Sequence, residues 1–418
     1  MIETKHRKIN DKFKLDHDLT SNNPNPDESK NLRTQLPITW HSAKNFYVFD
    51  KYGNKWIDLT SGIFATNAGH SNPKVNEAIK TQLDKNLSFS FLYPTEIRKE
   101  FTQKLLAISP GFEKVILLNT GSEATDMAYK MIKQSSGKRK YIICFEGNYH
   151  GRVLSGDFIS GDSDSSEWSR VKDPDVIFIK FPYEMDTTFD TSILPPANEI
   201  AAFMIETYQG WGAWMYPDQY MRDLCKFAKE NNILTCVDEI QAGFYRMGTL
   251  YGYMSYGDYL KPDIVCLGKA ISSPLPLSAV LSTQALVDNT TRIGGTHAGN
   301  PLCCAAGIAN INFLTDEKFQ EELKEKVEIF ENNFKNLEQY DSIKRVNVRG
   351  MIAGIIFHDE KIANEVVCKC VERGIMPVNT WSVSIKIGPP LTITTEALLE
   401  AIEVFENCIE EAEVESNG

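Results

Sequence analysis

The chain has 418 residues, of which 42% are hydrophobic and 24% are charged. This balance is ordinary for a globular protein, and it excludes a disordered, collagen-like or disulfide-scaffold chain. The 56 acidic residues outnumber the 44 basic residues, which gives a net charge of −12. Because a surface of that sign repels phosphate groups, we expect no nucleic-acid partner and no membrane partner.

The sequence also predicts a cytoplasmic protein. No apolar run approaches the roughly 20 residues of a membrane-spanning helix, and the first residues contain no apolar segment of the secretory type. The nine cysteines are scattered, odd in number and without the paired spacing of a zinc site. We therefore expect reduced thiols and no metal site. The length of the chain separately predicts two or three domains.

The N-terminal part of the chain is predicted to be a polar arm followed by a hairpin. Residues 1–36 are polar and contain Asn-Pro repeats, which is typical of a loosely packed segment. Two short segments that begin at Phe46 and Lys55 flank a turn at Gly53 and predict a β-hairpin.

Short apolar runs then alternate with helical stretches. Their hydrophobicity is continuous, which indicates strands that are covered on both faces. Alternation of strands and helices favours a mostly parallel α/β sheet, in which ligands bind at the carboxyl ends of the strands. Seven runs have this character: Val115–Leu118, Tyr141–Phe145, Val176–Ile179, Ala201–Ile205, Ile233–Val237, Ile264–Leu267 and Leu277–Leu281.

The chain after Pro301 is predicted to be helical and then mixed. Apolar residues at steps of three and four from Phe319 to Leu337 predict a long amphipathic helix. The remaining predicted elements are a strand at 350–357, a helix at 362–374, a strand at 382–387 and a last helix over 398–409 before an acidic tail. We expect the arm and part of a small domain over 1–60, a large α/β domain over 61–305, and a small α+β domain over 306–418.

Two polar segments follow predicted strands in the first half of the sheet. Asn119-Thr-Gly-Ser-Glu-Ala124 opens a helix, so the N–H groups of Gly121 and Ser122 could bind a phosphate. An ordinary helix cap without a ligand is the alternative. In the segment 145–152, Tyr149 could stack on a flat ring, or it could be an incidental aromatic residue of a loop.

Two ionisable residues end later strands. Asp238 follows a buried strand, where a carboxylate is costly without a cationic or hydrogen-bonding partner. A pyridinium nitrogen would be such a partner, and a helix-capping role is the alternative. Lys269 follows another apolar strand, and a desolvated lysine becomes a nucleophile for carbonyl carbons. The alternative is a lysine that extends to solvent at a strand end.

These four features together match the needs of one cofactor. A phosphate site, a ring-stacking aromatic residue, a partner for a pyridine nitrogen and an imine-forming lysine are the contacts that pyridoxal 5′-phosphate requires. Each alternative without a ligand is reasonable for one segment taken alone. A protein without the cofactor would require all four alternatives to be true at once.

The same segments resemble the class III (subgroup II, ω-type) pyridoxal-phosphate aminotransferases of fold type I. The resemblance covers about residues 37–412, and it implies a large domain with a mostly parallel seven-stranded sheet flanked by helices, plus a smaller α+β domain from both termini. The matching motifs occur in the family's order: Asp58-Leu-Thr-Ser-Gly62, Gly69-His70, Thr120-Gly-Ser-Glu-Ala124, Tyr149-His-Gly-Arg152, Ile205-Glu206, Asp238-Glu-Ile-Gln-Ala-Gly-Phe244, Pro262-Asp-Ile264, Gly268-Lys269, Thr296-His-Ala-Gly-Asn-Pro301 and Pro389-Pro-Leu-Thr-Ile393.

The resemblance implies a role for each matching residue. Lys269 resembles the Schiff-base lysine that later moves the proton, and Asp238 resembles the partner of the pyridine nitrogen. Tyr149 resembles the residue that stacks on the ring. Gly121 and Ser122 resemble the residues that hold the phosphate.

Further contacts are implied around the ring and at the phosphate. His150 and Glu206 match residues of the cofactor site, and Gln241 matches the residue near the phenolic oxygen of the ring. Thr296 resembles a phosphate contact that the neighbouring subunit supplies. The resemblance therefore implies a homodimer with shared active sites.

The chain departs from the family at the positions that bind a substrate carboxylate. Trp211 stands where many members have a glutamate, and Lys386 stands where many have an arginine. Lysine lacks the planar fork that binds a carboxylate through two hydrogen bonds. Trp211, Trp214, Tyr208 and Phe64 could line a flatter, more aromatic substrate pocket, or some of these aromatic side chains could belong to the core.

The sequence therefore predicts an aminotransferase that moves an amino group between an amine and a keto acid or aldehyde. The amine could be an ω-amino acid, a diamine, an amino sugar or an aminocyclitol, and the missing arginine favours a reacting carbon without a carboxylate. A phospho-lyase, a decarboxylase or an aminomutase on the same fold is the alternative, since fold alone does not choose the reaction. A non-catalytic binding protein would be expected to lack Lys269 or Asp238.

Overall fold

The computed structural model describes residues 38–161, 172–380 and 382–416. The predicted arm at 1–36 lies outside these residues. The strands are β1 Ser42–Lys44, β2 Tyr47–Phe49, β3 Lys55–Asp58, β4 Lys114–Leu118, β5 Tyr141–Phe145, β6 Val176–Ile179, β7 Ile200–Glu206, β8 Tyr208–Gln209, β9 Trp214–Met215, β10 Leu234–Asp238, β11 Ile264–Leu267, β12 Ser278–Ser282, β13 Ile343–Arg349, β14 Ile352–Phe357, β15 Ile375–Met376, β16 Val378–Asn379 and β17 Ser384–Ile387.

The helical segments begin with a single turn, α1, in which Ser61 to Phe64 all have positive φ. The α-helical segments are α1 Ser61–Phe64, α2 Pro73–Asp84, α3 Glu96–Ala107, α4 Gly121–Ser135, α5 Leu154–Ile159, α6 Asp218–Glu230, α7 Gln284–Asp288, α8 Pro301–Leu314, α9 Glu317–Asn336, α10 Glu360–Glu372 and α11 Thr395–Ser416. Among the described helices, none is both long and apolar enough to cross a bilayer.

The chain divides into two compact units. The larger unit comprises Pro73–Gly210 and Trp214–Phe319, and the smaller unit comprises the described residues up to Asn72, Trp211–Ala213 and those from Gln320 onward. These divisions lie later in the chain than the expected 60/61 and 305/306. Residues 61–72 remain in the smaller unit through bonds such as the one from Leu391 N to Asn67 O (2.9 Å). Helix α8 remains in the larger unit because it packs against α2 and α3.

The larger unit is built on a seven-stranded sheet in the order β4-β12-β11-β10-β7-β5-β6. Strand β12 is antiparallel to both neighbours, and the other pairs are parallel. All seven predicted apolar runs are strands of this sheet, which confirms the predicted fold class. Every residue of β7 is buried, as expected for a strand with both faces covered.

The smaller unit contains two four-stranded sheets, in the orders β1-β2-β3-β15 and β13-β14-β17-β16. Both ends of the chain contribute to it, because β15 pairs in parallel with β3 of the predicted hairpin. Helix α10 ends two residues before the predicted boundary, where Gly374 takes a φ of 88°. The predicted acidic tail is instead the last part of α11, in which Glu415 pairs with Lys369 at 2.7 Å.

Candidate active site

The four predicted segments surround one cavity of about 190 Å³ in the larger unit. They reach it because the carboxyl ends of β4, β5, β10 and β11 lie at the same edge of the sheet. Eight predicted site residues line the cavity: Gly121, Ser122, Tyr149, His150, Glu206, Asp238, Gln241 and Lys269.

The first turn of α4 lines the cavity with backbone N–H groups of the kind that suit an anion. Thr120 and Glu123 form a capping box that satisfies the N–H groups of residues 119, 120 and 123. The N–H groups of Gly121 and Ser122 belong to the first turn, which has no carbonyl partner within its own helix. A phosphate at this position would also meet the positive end of the helix dipole.

Gly151 lies directly against this turn. Its φ is 126°, and a Cβ added there would lie 2.5 Å from Ser122 Oγ and 3.0 Å from Ser122 Cα. The backbone N–H of Arg152 also donates to Ser122 Oγ, at 3.2 Å. The segment after Tyr149 therefore supports the side chain of Ser122, and a larger residue at position 151 would displace it.

We expect Gly151→Ala to weaken binding of pyridoxal phosphate to the apoprotein by about 10- to 100-fold, from backbone strain of about 1–3 kcal/mol together with the shift of Ser122. Fluorescence titration of the apoprotein measures this. Gly137→Ala is the matched control, because Gly137 also has a positive φ but a Cβ there would meet nothing within 4 Å. Equal affinities of the two variants would show that this turn does not hold the phosphate.

Asp238 occupies the floor of the cavity together with His150. Nδ1 of His150 lies 2.9 Å from Oδ2 of Asp238, and since a carboxylate only accepts, Nδ1 carries the proton. The other carboxylate oxygen accepts the N–H of Ile240 at 3.0 Å. Both side chains are buried. This arrangement keeps Asp238 oriented and able to pair with a further cationic group.

Lys269 follows β11 on the neighbouring strand. Its φ of 42° lies in the left-handed region, which is strained for a residue with a Cβ and is frequent at functional sites. Burial lowers the pKa of its amine, against the opposing attraction of the carboxylates of Asp238 and Glu206. A lysine with a lowered pKa provides a neutral amine for attack on a carbonyl carbon at lower pH than a lysine in water.

Glu206 ends β7 and pairs in register with Asp238 on β10. Its Oε2 accepts the N–H of Tyr149 at 3.0 Å, which fixes the segment that carries the aromatic ring. Burial raises the pKa of Glu206 to about 7. The carboxyl group is therefore mostly protonated in the folded protein at acidic pH and ionises close to neutrality.

We expect the free energy of unfolding of the apoprotein to decrease as pH rises from about 4.5 to 7, because the folded state holds the Glu206 proton more tightly than the unfolded state does. A shift of this size corresponds to about 3 kcal/mol. Glu206→Gln should remove that part of the slope. Denaturant unfolding at several pH values measures it, and parallel slopes for wild type and variant would contradict the raised pKa.

The site fits pyridoxal 5′-phosphate on its own geometry. Two buried polar atoms that face no partner among the described residues belong to cavity residues, His150 Nε2 and Gln241 Oε1. A Cβ at Gly121 would lie 3.0 Å from two side-chain carbons of Ile240, so a larger residue there would press on another residue of the cavity. The anion site, the buried carboxylate and the lysine together supply the donors, acceptors and nucleophile that this cofactor needs.

Four predicted site residues do not line this cavity. Thr296 is exposed in the turn before α8 of the larger unit, and Phe64, Trp211 and Lys386 belong to the smaller unit. Five cavity residues were absent from the predicted set: Thr120, Gly151, Tyr208, Ile240 and Ala242. Thr120, Gly151, Ile240 and Ala242 lie within the motifs quoted above, whereas Tyr208 is named above only among the aromatic residues of the predicted substrate pocket.

Within the described residues, no cluster of His, Cys, Asp and Glu could hold a metal ion. All nine cysteines are free thiols, and seven of them are buried.

The chain is similar to known aminotransferases. The family model for aminotransferase class-III matches residues 29–409. An ornithine aminotransferase of Staphylococcus carnosus is 33% identical over 382 residues, covering 88% of this chain and 93% of that protein. The solved ornithine aminotransferase of Toxoplasma gondii superposes with a TM-score of 0.84 at 25% identity, covering 92% of this chain and 93% of the other.

A solved omega transaminase of Pseudomonas jessenii, in complex with PMP, has the same fold, with a TM-score of 0.84 at 20% identity over 90% of this chain and 93% of the other. The seven-stranded sheet, the convergence of the four segments and these matches lead to one assignment. The chain belongs to the class III aminotransferases, fold type I enzymes that transfer amino groups with pyridoxal 5′-phosphate.

Proposed function

We propose that this aminotransferase takes the amino group from an amine whose reacting carbon bears no carboxylate, and that Lys269 and Asp238 are its catalytic residues. The observation that carries the assignment of the two residues is that Asp238 is the last residue of β10, that Lys269 follows the adjacent parallel strand β11 by two residues, and that both line the same cavity. No other lysine lines this cavity among the described residues.

Different residues of the chain would contact different parts of the cofactor. Gly121 and Ser122 would bind its phosphate, Tyr149 would cover its ring, and Gln241 would contact its phenolic oxygen. Asp238, oriented by His150, would keep the pyridine nitrogen protonated. When bound, the cofactor supplies an electron sink for the carbon next to the reacting nitrogen.

Lys269 would hold the cofactor covalently and carry the proton at its Nζ. Its lowered pKa allows the amine to be neutral when it attacks, and a neutral amine can also accept the proton from the reacting carbon of the substrate. The nearby carboxylates of Asp238 and Glu206 stabilise the ammonium form that results.

We also propose that Phe64, Trp211 and Lys386 contact the substrate. Nζ of Lys386 lies 4.9 Å from the centroid of the Phe64 ring, and Ser384 Oγ donates to the carbonyl of Trp211 at 2.7 Å, so the smaller unit gathers the three residues around β17. A lysine binds a carboxylate as a point charge without a fixed orientation. The names of the relatives, ornithine aminotransferases, support an amine at the end of a short carbon chain.

The test is a visible spectrum of the purified protein, recorded before and after addition of one donor at a time. The lysine imine of the bound cofactor absorbs near ~420 nm. We expect ornithine or a diamine to remove this band without any keto acid present, and L-alanine to leave it unchanged. Loss of the band with L-alanine alone would contradict the proposed donor class, and phosphate release from phosphoethanolamine would indicate a lyase instead.

We further propose a cytoplasmic homodimer. The nine free thiols support a reducing compartment.

The larger unit exposes a run of apolar side chains over 87–93, in which Leu92 is 81% exposed and Tyr93 79%. Such a patch marks an interaction surface. Arg98 ties this run to the turn of Thr296, because its Nε donates to Gly299 O at 3.1 Å and its Nη2 donates to Ser90 O. A second copy that covers the run would therefore approach Thr296.

We expect Leu92→Asp to weaken dimerisation by about 100-fold or more, since a two-fold symmetric interface contains the substitution twice and each copy loses a buried leucine. Light scattering over a range of concentrations measures this. Met185→Asp is the control, because Met185 is 66% exposed elsewhere on the larger unit. A wild-type protein that is monomeric and active would contradict the shared active site.

A further inference from the structure

Gln209 directly follows Tyr208, which lines the cavity, but Gln209 itself does not line it. It is the last residue of β8, which pairs with β9, and its side chain is fully buried. The amide Nε2 donates to Glu146 O at 2.6 Å and to Asn148 Oδ1 at 2.9 Å. Its Oε1 accepts the hydroxyl of Tyr183 at 3.1 Å.

The two acceptors belong to the turn that leads into the ring-stacking residue. Residues 146–148 join β5 to Tyr149, and Gly147 takes a φ of 81° within this turn. A Cβ at Gly147 would lie 3.0 Å from Tyr183 Oη and 3.1 Å from Gln209 Nε2. The turn is therefore packed directly on the amide, and its backbone has no room to shift toward it.

Tyr149 is held on its other side by a different residue. Its N–H donates to Glu206, and the N–H of His150 donates to Ser160 Oγ at 2.8 Å. The turn before Tyr149 has its own links within the described chain, between Gly147 N and Gly161 O and between Gly161 N and Asn148 O, both 2.9 Å. The side chain of Gln209 bonds both ends of the turn, at Glu146 O and at Asn148 Oδ1.

We propose that Gln209 is a positioning residue for the cofactor: through its bonds to Glu146 O and Asn148 Oδ1 it sets the orientation of the Tyr149 ring and the His150 imidazole. This inference rests on the proposed roles of Tyr149 and His150. An amide is required at this position. Its nitrogen donates to the two acceptors of the turn, Glu146 O and Asn148 Oδ1, and its oxygen accepts from the hydroxyl of Tyr183. A carboxylate at position 209 would have no donor for these two acceptors and would place a third acceptor beside them.

The test compares Gln209→Leu, Gln209→Glu and Tyr183→Phe with the wild-type enzyme. Apoprotein is titrated with pyridoxal phosphate, and the dichroism of the bound cofactor near ~420 nm reports the orientation of the ring. Gln209→Leu should weaken affinity by about 10- to 100-fold and halve the dichroism per bound cofactor, because two buried acceptors lose their donor. Tyr183→Phe, which leaves both bonds to the turn intact, should change affinity by about 3-fold or less.

Gln209→Glu distinguishes positioning from a general loss of stability. A protonated glutamate can still donate one hydrogen bond, so affinity for the cofactor should recover as pH falls from 8 to 5.5, relative to wild type measured at the same pH values. Leu224→Ala is the stability control, since Leu224 is a buried apolar residue of α6 whose side chain can form no hydrogen bond. It should lower the melting temperature and leave the dichroism unchanged.

Two results would overturn the inference: wild-type affinity and dichroism in Gln209→Leu, or an equal loss of dichroism in Leu224→Ala at a matched melting temperature. Either result leaves the proposed function intact if the wild-type enzyme still binds the cofactor and transfers amino groups. If the wild-type protein itself shows no transfer, the proposed function fails whatever Gln209 does.

Discussion

Replacing Lys269 with alanine should abolish covalent binding of the cofactor and reduce turnover by about 10⁴-fold or more, because the same amine forms the covalent link and moves the proton. The protein should remain folded, since alanine keeps the Cβ and the left-handed φ of 42° at this position. Borohydride reduction followed by mass spectrometry of the denatured protein detects the covalent adduct. A single-turnover assay with an ω-amine measures the rate.

Lys140→Ala is the matched control for that experiment. Lys140 lies on the larger unit with about half of its side chain exposed, where it pairs with Glu199 at 3.5 Å. Its replacement should leave both the adduct and the rate unchanged. A cofactor adduct that persists in Lys269→Ala and maps to another lysine would show that the catalytic residue is misassigned.

Replacing Asp238 with asparagine should reduce turnover by about 10²- to 10⁴-fold while the shape of the site is kept. The asparagine cannot keep a pyridine nitrogen protonated. Its amide also places a donor against Nδ1–H of His150 if its oxygen continues to accept from Ile240 N. We expect the covalent adduct at Lys269 to form, with weaker affinity for the cofactor, and the proton-transfer step to become slow.

The control for Asp238 is an aspartate near the beginning of strands β10 and β11, whereas Asp238 lies at the end of β10. Asp263 precedes β11 and accepts the N–H of Thr235 at 2.8 Å, so it is a strand-end aspartate that is bonded to the chain itself. Asp263→Asn should lower the melting temperature and leave the rate per folded enzyme near wild type. A rate in Asp238→Asn that equals the rate in Asp263→Asn would reduce Asp238 to a structural residue.

These two predictions depend on features that local sequence already indicates. The apolar runs that become β10 and β11 are continuous because both faces of the sheet are covered, and an ionisable residue at the end of such a run is visible without a structure. The helix cap at Thr120 and Glu123 is equally local, since its two bonds join residues three positions apart.

Other parts of the site depend on contacts between distant segments. Ser122 and Gly151 are 29 residues apart, and only their approach shows that position 151 tolerates no side chain. Gln209 lies 63 residues from Glu146, and nothing in the sequence around either residue indicates the bond between them. The register that places Glu206 beside Asp238 likewise follows from the pairing of β7 with β10.

The sequence by itself determined the fold class, the seven strands of the large sheet, the cofactor and eight of the residues that line its cavity. These follow from hydrophobic periodicity, from strand–helix alternation and from motifs whose residues are neighbours in the chain. Only the tertiary structure decided the strand order, the boundaries of the two units, the raised pKa of Glu206 and the support that Gln209 gives to Tyr149. Burial and hydrogen bonding between distant segments are properties of the packed chain, so no local pattern specifies them.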